Sequence, residues 1–263
     1  MQNRFILLGL IVLGGLALAG LIWVLVIAPP KINPQTTIPS PAQSAPDPTH
    51  KDLEIKESTT TYKVSVKYPV FSDLKNREVD ASVNNFIQQE MERQVGEFKK
   101  QVSEMALEGF EHASTFDSGY EIVNQTRDLL SLNFSSYSYI SGSAHGLGVI
   151  SSFNYNLKEN KPIILADLFR KDSNYLSFLS EKSRTILKDK MQEYYVEEFV
   201  MSGTEPNPEN YVVYNFGKDR LTLIFNVYQV APYVAGPQSL DIPYEEMADI
   251  VNPEIVKMAA GGG

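Results

Sequence analysis

Cysteine is absent from the 263-residue chain. That removes disulfides, thiolate catalysis, zinc–thiolate sites and a lipidated N-terminal cysteine in one step. Histidine is scarce: His50, His112 and His145 are all there is. Chemistry that needs several imidazoles at one place has little to draw on. Basic charge is also short, with 23 Lys and Arg against 32 Asp and Glu and a net charge of −9. A phosphate-backbone binder needs a basic face, so nucleic acid is not an expected partner. The chain lacks a glycine-rich phosphate loop, an H-E-x-x-H pair and a G-x-S-x-G elbow. No cofactor and no metal is expected. The adjacent pairs Glu197-Glu198 and Glu245-Glu246 would diverge by about 100° on a helix, so neither frames a glycosidic bond alone. What is present is ordinary globular composition, 43% hydrophobic and 21% charged.

One segment is not globular. Residues 5–28 run 24 positions without a charge. As a helix they would span about 36 Å, enough for a hydrocarbon core of about 30 Å with some tilt. A small-x-small cleavage pattern at Ala17-Leu18-Ala19 lies inside this block, and the apolar run continues past it. An uncleaved transmembrane signal anchor is therefore expected. Arg4 before the span favours an N-terminus in the cytoplasm. Residues 1–4 become a short cytoplasmic tail, and the soluble part becomes extracytoplasmic in a single-pass cell-membrane protein. Residues 29–51 hold seven prolines among 23 positions and read as an extended stalk. His50 falls in that stalk.

Beyond it the pattern becomes structured. Tyr62 to Pro69 alternates strictly, which predicts a strand with one wet face ended by Pro69. Apolar residues from Val79 to Met105 recur at steps of three and four and predict a long helix over 76–112. Strands are predicted over 120–126, 129–140 and 149–157, and again near 162–165. A second long helix is predicted from Asp172 or Ser173 to Gly203. Strands over 211–216, 221–230 and 240–243, a short helix over 244–251 and a loose tail complete the chain. The fold class is α+β: mainly antiparallel sheet with two long helices, in two sequential α/β subdomains, preceded by one transmembrane helix.

Two segments are distinctive. One runs from Tyr137-Ser138-Tyr139-Ile140-Ser141-Gly142-Ser143-Ala144-His145-Gly146 through Phe153-Asn154-Tyr155-Asn156-Leu157 to Leu165-Ala166-Asp167-Leu168-Phe169. The other is Phe225-Asn226-Val227-Tyr228-Gln229-Val230-Ala231-Pro232-Tyr233-Val234-Ala235-Gly236-Pro237, ending in Ile242-Pro243-Tyr244. Together they resemble the extracytoplasmic module shared by RsiV-type anti-sigma factors and PdaC-type peptidoglycan deacetylases. The resemblance implies an N-terminal PdaC-like subdomain at 52–145, a C-terminal RsiV-like subdomain at 146–252 and a tail at 253–263. It also implies a lysozyme-like protein or peptidoglycan as partner. A four-residue tail is too short for the sigma-binding segment of the RsiV type, and no deacetylase domain follows the module. A sensor or binding module is thus expected; a small envelope hydrolase and a structural envelope protein are the alternatives.

His145 is the candidate general base, in a turn with Ser141 and Ser143 and with Asp167 as a candidate orienter. It can equally tie the turn to backbone carbonyls or contact a ligand. Tyr137, Tyr139, Tyr228 and Tyr233 join His145 as ligand-binding candidates, because tyrosine joins a large apolar face to a polar tip. Gln238, just after the two-proline loop, completes the set.

Overall fold

The computed structural model describes residues 49–105 and 112–262. The expected tail, anchor and most of the stalk lie outside these residues. Nine strands and four α-helices occur among the described residues, in a six-stranded sheet and a three-stranded sheet.

The first sheet has the order β1-β2-β3-β4-β5-β6. β1 (Thr49–Ser58) pairs antiparallel with β2 (Tyr62–Ser72). His50, expected in the stalk, lies in a strand opposite Phe71. β1 escapes sequence reading because it buries almost nothing and so shows no apolar alternation. β2 also outruns its expected end, since Pro69 sits within the strand and Phe71 beyond it is in the core. α1 (Arg77–Met105) crosses over the sheet, so β2 and β3 (Ser114–Gln125) run parallel. β4 (Leu129–Tyr139), β5 (Leu147–Asn156) and the two-residue β6 (Lys161–Pro162) follow antiparallel. The sheet is therefore mixed, with one parallel pair. β5 and β6 lie beyond residue 145 and still belong to it.

α1 forms where the spacing predicts over Arg77–Met105; residues 106–111 of the expected helix lie outside the described residues, and His112 is not helical. Val79, Val83, Ile87, Met91, Val95, Phe98 and Val102 make one buried stripe that packs with Val64, Val66, Phe116, Leu132 and Phe153 of the sheet. Asn76 Oδ1 accepts from Val79 N at 2.9 Å and caps the start. Asn84 fixes the helix to the sheet, since its amide bonds both Phe71 N and Phe71 O at 2.8 Å.

The second sheet is β7 (Tyr214–Phe216), β8 (Arg220–Phe225) and β9 (Gln238–Pro243), all antiparallel. It shares a separate core with α2 (Tyr175–Met191), α3 (Glu197–Gly203) and α4 (Pro253–Ala259). The single helix expected up to Gly203 is two helices. The chain breaks at Gln192, whose φ is 44°, passes through a 3-10 turn at Gln192–Tyr194 and restarts. The break turns Val200 into the core, fully buried. The expected loose tail is also corrected. Asn252 caps Glu254 N at 3.1 Å, Pro253 opens α4, and Ala259 is fully buried.

A polar seam welds the two sheets. Ser131 Oγ donates to Asn154 Oδ1 at 2.6 Å and accepts from Asn215 Nδ2 at 3.0 Å and Phe216 N at 3.2 Å. Asn154 Nδ2 donates to Tyr214 O at 2.8 Å, and Asn124 Nδ2 to Phe216 O at 3.0 Å and Ala259 O at 2.9 Å. Strand β7 is thus held by side chains of β3, β4 and β5. Asn124 Oδ1 and Asn215 Oδ1 are buried without a partner. A polar seam of this kind fixes orientation, because sliding would orphan every bond at once.

Candidate functional site: an aromatic cleft beside the seam

β4 and β5 run past the seam, and there the loop between β8 and β9 folds over them. Asn226 anchors that loop. Its Oδ1 accepts from Ile150 N at 2.8 Å and its Nδ2 donates to Ile150 O at 2.9 Å. A side-chain amide thus stands in for a neighbouring strand at the edge of β5. Next comes a type II turn, closed by Gln229 N to Asn226 O at 3.1 Å, with Tyr228 at the position that needs positive φ. The Tyr228 φ is 69°, a conformation that costs about 1–3 kcal/mol for a bulky residue. The strained turn holds the Tyr228 ring in solvent, 48% exposed.

Gly203 makes room for this turn. A Cβ there would overlap the Gln229 carbonyl and crowd Val230. Gln229 Nε2 adds bonds to Gly203 O at 3.3 Å and Asn210 O at 2.8 Å. Gly203→Ala is therefore expected to lower stability by roughly 1–3 kcal/mol, as overpacking does. Thermal unfolding of the variant checks this; an unchanged melting temperature would contradict the close approach.

Gly146 is the hub of the site. Its carbonyl accepts from Tyr233 Oη at 3.0 Å and from His145 Nδ1 at 2.8 Å. A carbonyl only accepts, so Nδ1 carries the proton and Nε2 is left to accept from Tyr228 Oη at 3.3 Å. The rings pack at tilted angles: His145 to Tyr233 at 4.5 Å between centroids and 32°, Tyr233 to Tyr228 at 5.4 Å and 34°. The absent side chain at Gly146 lets the Tyr137 ring lie against the backbone. Beside these rings opens a cleft of about 430 Å³. Ser135, Ser136, Tyr137, Gly148, Val149 and Ile150 form its floor, and Val227, Tyr233, Val234, Gly236 and Pro237 its wall. None of these residues is charged.

Four of the six ligand candidates thus meet in space: Tyr137, His145, Tyr228 and Tyr233. Tyr139 is partly buried opposite Thr115 and does not line the cleft. Gln238 does not line the cleft either. It is buried, and its Nε2 bonds Ala235 O at 2.8 Å and Gly236 O at 3.4 Å, which shapes the loop from within. The hydrolytic constellation is not assembled. Ser143 Oγ donates to Ile140 O, Ser141 N donates to Ser114 Oγ at 2.9 Å, and Asp167 Oδ2 accepts from Ile164 N at 3.0 Å. Among the described residues no group of three His, Asp or Glu side chains is placed to hold a metal. Asn226 was read as part of the expected strand over 221–230, which ends instead at Phe225, and Gly203 as a helix stop. Their roles come from residues 76 and 26 positions away.

Comparison with known proteins agrees with this architecture. The family model described as Deacetylase PdaC matches residues 55–148, and the model described as a protein of unknown function, DUF3298, matches residues 166–245. The two matches follow one another along the chain, which thus resembles a PdaC–DUF3298 module pair. The peptidoglycan-N-acetylmuramic acid deacetylase PdaC of Bacillus subtilis strain 168 is 29% identical over 199 residues, or 76% of this chain. The anti-sigma-V factor RsiV of the same organism is 27% identical over 196 residues, or 73% of this chain. The matched regions cover 41% and 66% of those two proteins. A crystal structure of a DUF3298 family member from Bacteroides fragilis NCTC 9343 superposes with a TM-score of 0.63 at 17% identity, covering 82% of this chain and 99% of that one. Another from Pseudomonas aeruginosa PAO1 gives 0.55 at 18% identity, covering 81% and 97%. These two likenesses concern the fold of the module pair.

Proposed function

We propose that the module pair is a recognition unit of the cell envelope, held outside the cytoplasmic membrane by residues 5–28, and that its aromatic cleft is the ligand site. The observation that carries this reading is the uncharged cleft between β4–β5 and the Tyr233 loop. Its tyrosine faces suit the apolar faces of sugar rings, and its serines supply polar contacts at the floor. Peptidoglycan glycan is the ligand class that fits, in keeping with the substrate named for the PdaC relative. A lysozyme-like protein is the second reading. It is favoured by the loop itself, where Val234 stands 74% exposed beside Tyr228 and so presents a convex apolar tip to a protein surface. The net charge of −9 suits a basic protein of that kind.

The test is calorimetric titration of the fragment from Ser44 onward, which contains all the described residues. Soluble peptidoglycan fragments and lysozyme are titrated separately, at low and moderate salt. Because the cleft lining is uncharged, saturable binding there is expected to survive moderate salt. Binding of lysozyme that vanishes with salt would be general attraction to an acidic surface. Failure of both ligands would overturn the reading.

A further inference from the structure

The outer edge of β1 faces no other strand among the described residues. Charged side chains on an edge strand keep it from pairing indiscriminately with other edges. β1 carries charges of both signs, so its edge can match only a strand whose charges alternate in the complementary order. Its middle reads Lys51-Asp52-Leu53-Glu54-Ile55-Lys56-Glu57. Read backwards against itself about Glu54, this segment is self-complementary. Lys51 meets Glu57, Asp52 meets Lys56, and Leu53 meets Ile55, each pair occurring twice. We propose that β1 pairs antiparallel with β1 of a second copy of this chain in that register, giving a two-fold dimer with one continuous sheet.

The register is specific. Moving the second copy by one residue sets Lys51 against Lys56 in one direction and Asp52 against Glu57 in the other, and it turns every side chain to the opposite face. Moving it by two sets Asp52 against Glu54, or Leu53 against Glu57. The proposed register also covers Leu53, which is 40% exposed in the single chain. The one like pair is Glu54 with itself on the axis. Each Glu54 already has Lys56 of its own chain as an ion-pair partner, so this contact is partly neutralised. Asp52 pairs with Lys67 at 2.6 Å and Glu57 with Lys99 at 2.6 Å within the chain, so both acids are held in place at the edge.

Such an interface is small, and it falls in the weak, transient class for free proteins. The pairing leaves the cleft free. β1 is at one edge of the sheet, whereas the cleft lies on β4 and β5. At a strand spacing of about 4.8 Å, the two clefts of the dimer would lie roughly 40 Å apart. Two sites at fixed spacing raise avidity for a repetitive ligand.

The absence of cysteine makes the test direct. Only a residue on the two-fold axis faces its own copy, with Cα atoms about 4.5–5.5 Å apart, inside the range a disulfide needs. Full-length E54C, purified in detergent, is expected to form a disulfide dimer at least ten times faster than K56C under the same mild oxidant. A mixture of D52C and K56C is expected to give mainly the mixed dimer. All three positions are exposed, and circular dichroism checks that each variant is folded. Equal cross-linking of E54C and K56C, or no cross-linking of E54C, would overturn the proposal. Association through the apolar N-terminal segment alone would not distinguish these positions and so counts against it.

Discussion

Asn154→Leu is expected to lower the stability of the folded unit by roughly 2–5 kcal/mol. The side chain is buried and nearly isosteric with leucine, so volume is not the issue. The loss is in the seam. The Asn154 amide donates to the Tyr214 carbonyl at 2.8 Å and accepts from Ser131 Oγ at 2.6 Å. Leucine removes the acceptor of the Ser131 proton and the side-chain donor to the Tyr214 carbonyl, and each buried hydrogen-bonding capacity left unmet costs about 1–3 kcal/mol. Ser131 feels it twice, because its hydroxyl also receives Asn215 and Phe216. Urea unfolding followed by circular dichroism reads the change as a lower midpoint. A lower slope, or two transitions in place of one, would show that the seam couples the two cores. A shift under about 0.5 kcal/mol would mean that water reaches these groups and that the seam is not structural.

The second large effect falls on binding. Tyr233→Ala is expected to weaken ligand affinity by at least about 30-fold, the loss typical of a central aromatic anchor. Tyr233 lines the cleft, packs tilted against His145 and Tyr228, and donates to the Gly146 carbonyl. Tyr233→Phe removes only the last of these, so it is expected to keep affinity within a few-fold. The ring is only partly buried, so the melting temperature of either variant is expected to move little. Calorimetry on the pair checks the claim. Equal affinity for wild type and Tyr233→Ala would place the ligand elsewhere.

The aromatic cluster was half legible beforehand. Tyr137 and His145 lie eight positions apart and Tyr228 and Tyr233 five, so each pair could be seen as a local loop. Nothing in spacing says that the two pairs meet, 83 positions apart at His145 and Tyr228. Gln238 shows how tertiary surroundings add what spacing does not carry. A polar residue after a loop reads as a contact, but only its surroundings reveal that its amide is spent inside the loop. His145 shows why a reactive residue type is a poor guide alone. Its chemistry is set by partners, and here they are a carbonyl and a phenol.

Sequence alone determined the parts whose signal is local. The α1 stripe is a periodic burial of seven residues on one side, and burial by helix period is written along the chain. The alternation over Tyr62 to Tyr68 marks β2 for the same reason. The α+β class follows from the order of such segments. Tertiary structure decided what depends on neighbours distant in the chain. β1 is a strand only because β2 offers it a ladder, for it buries no side chain that would announce it. The helix breaks at Gln192 because the second core needs Val200, a demand that local propensity does not contain. The cleft exists because polar side chains from three strands fix β7 to the first sheet, and because one asparagine pins the Tyr228 turn to Ile150. Each of those bonds spans at least 60 residues, so it could be chosen only after the chain had folded back on itself.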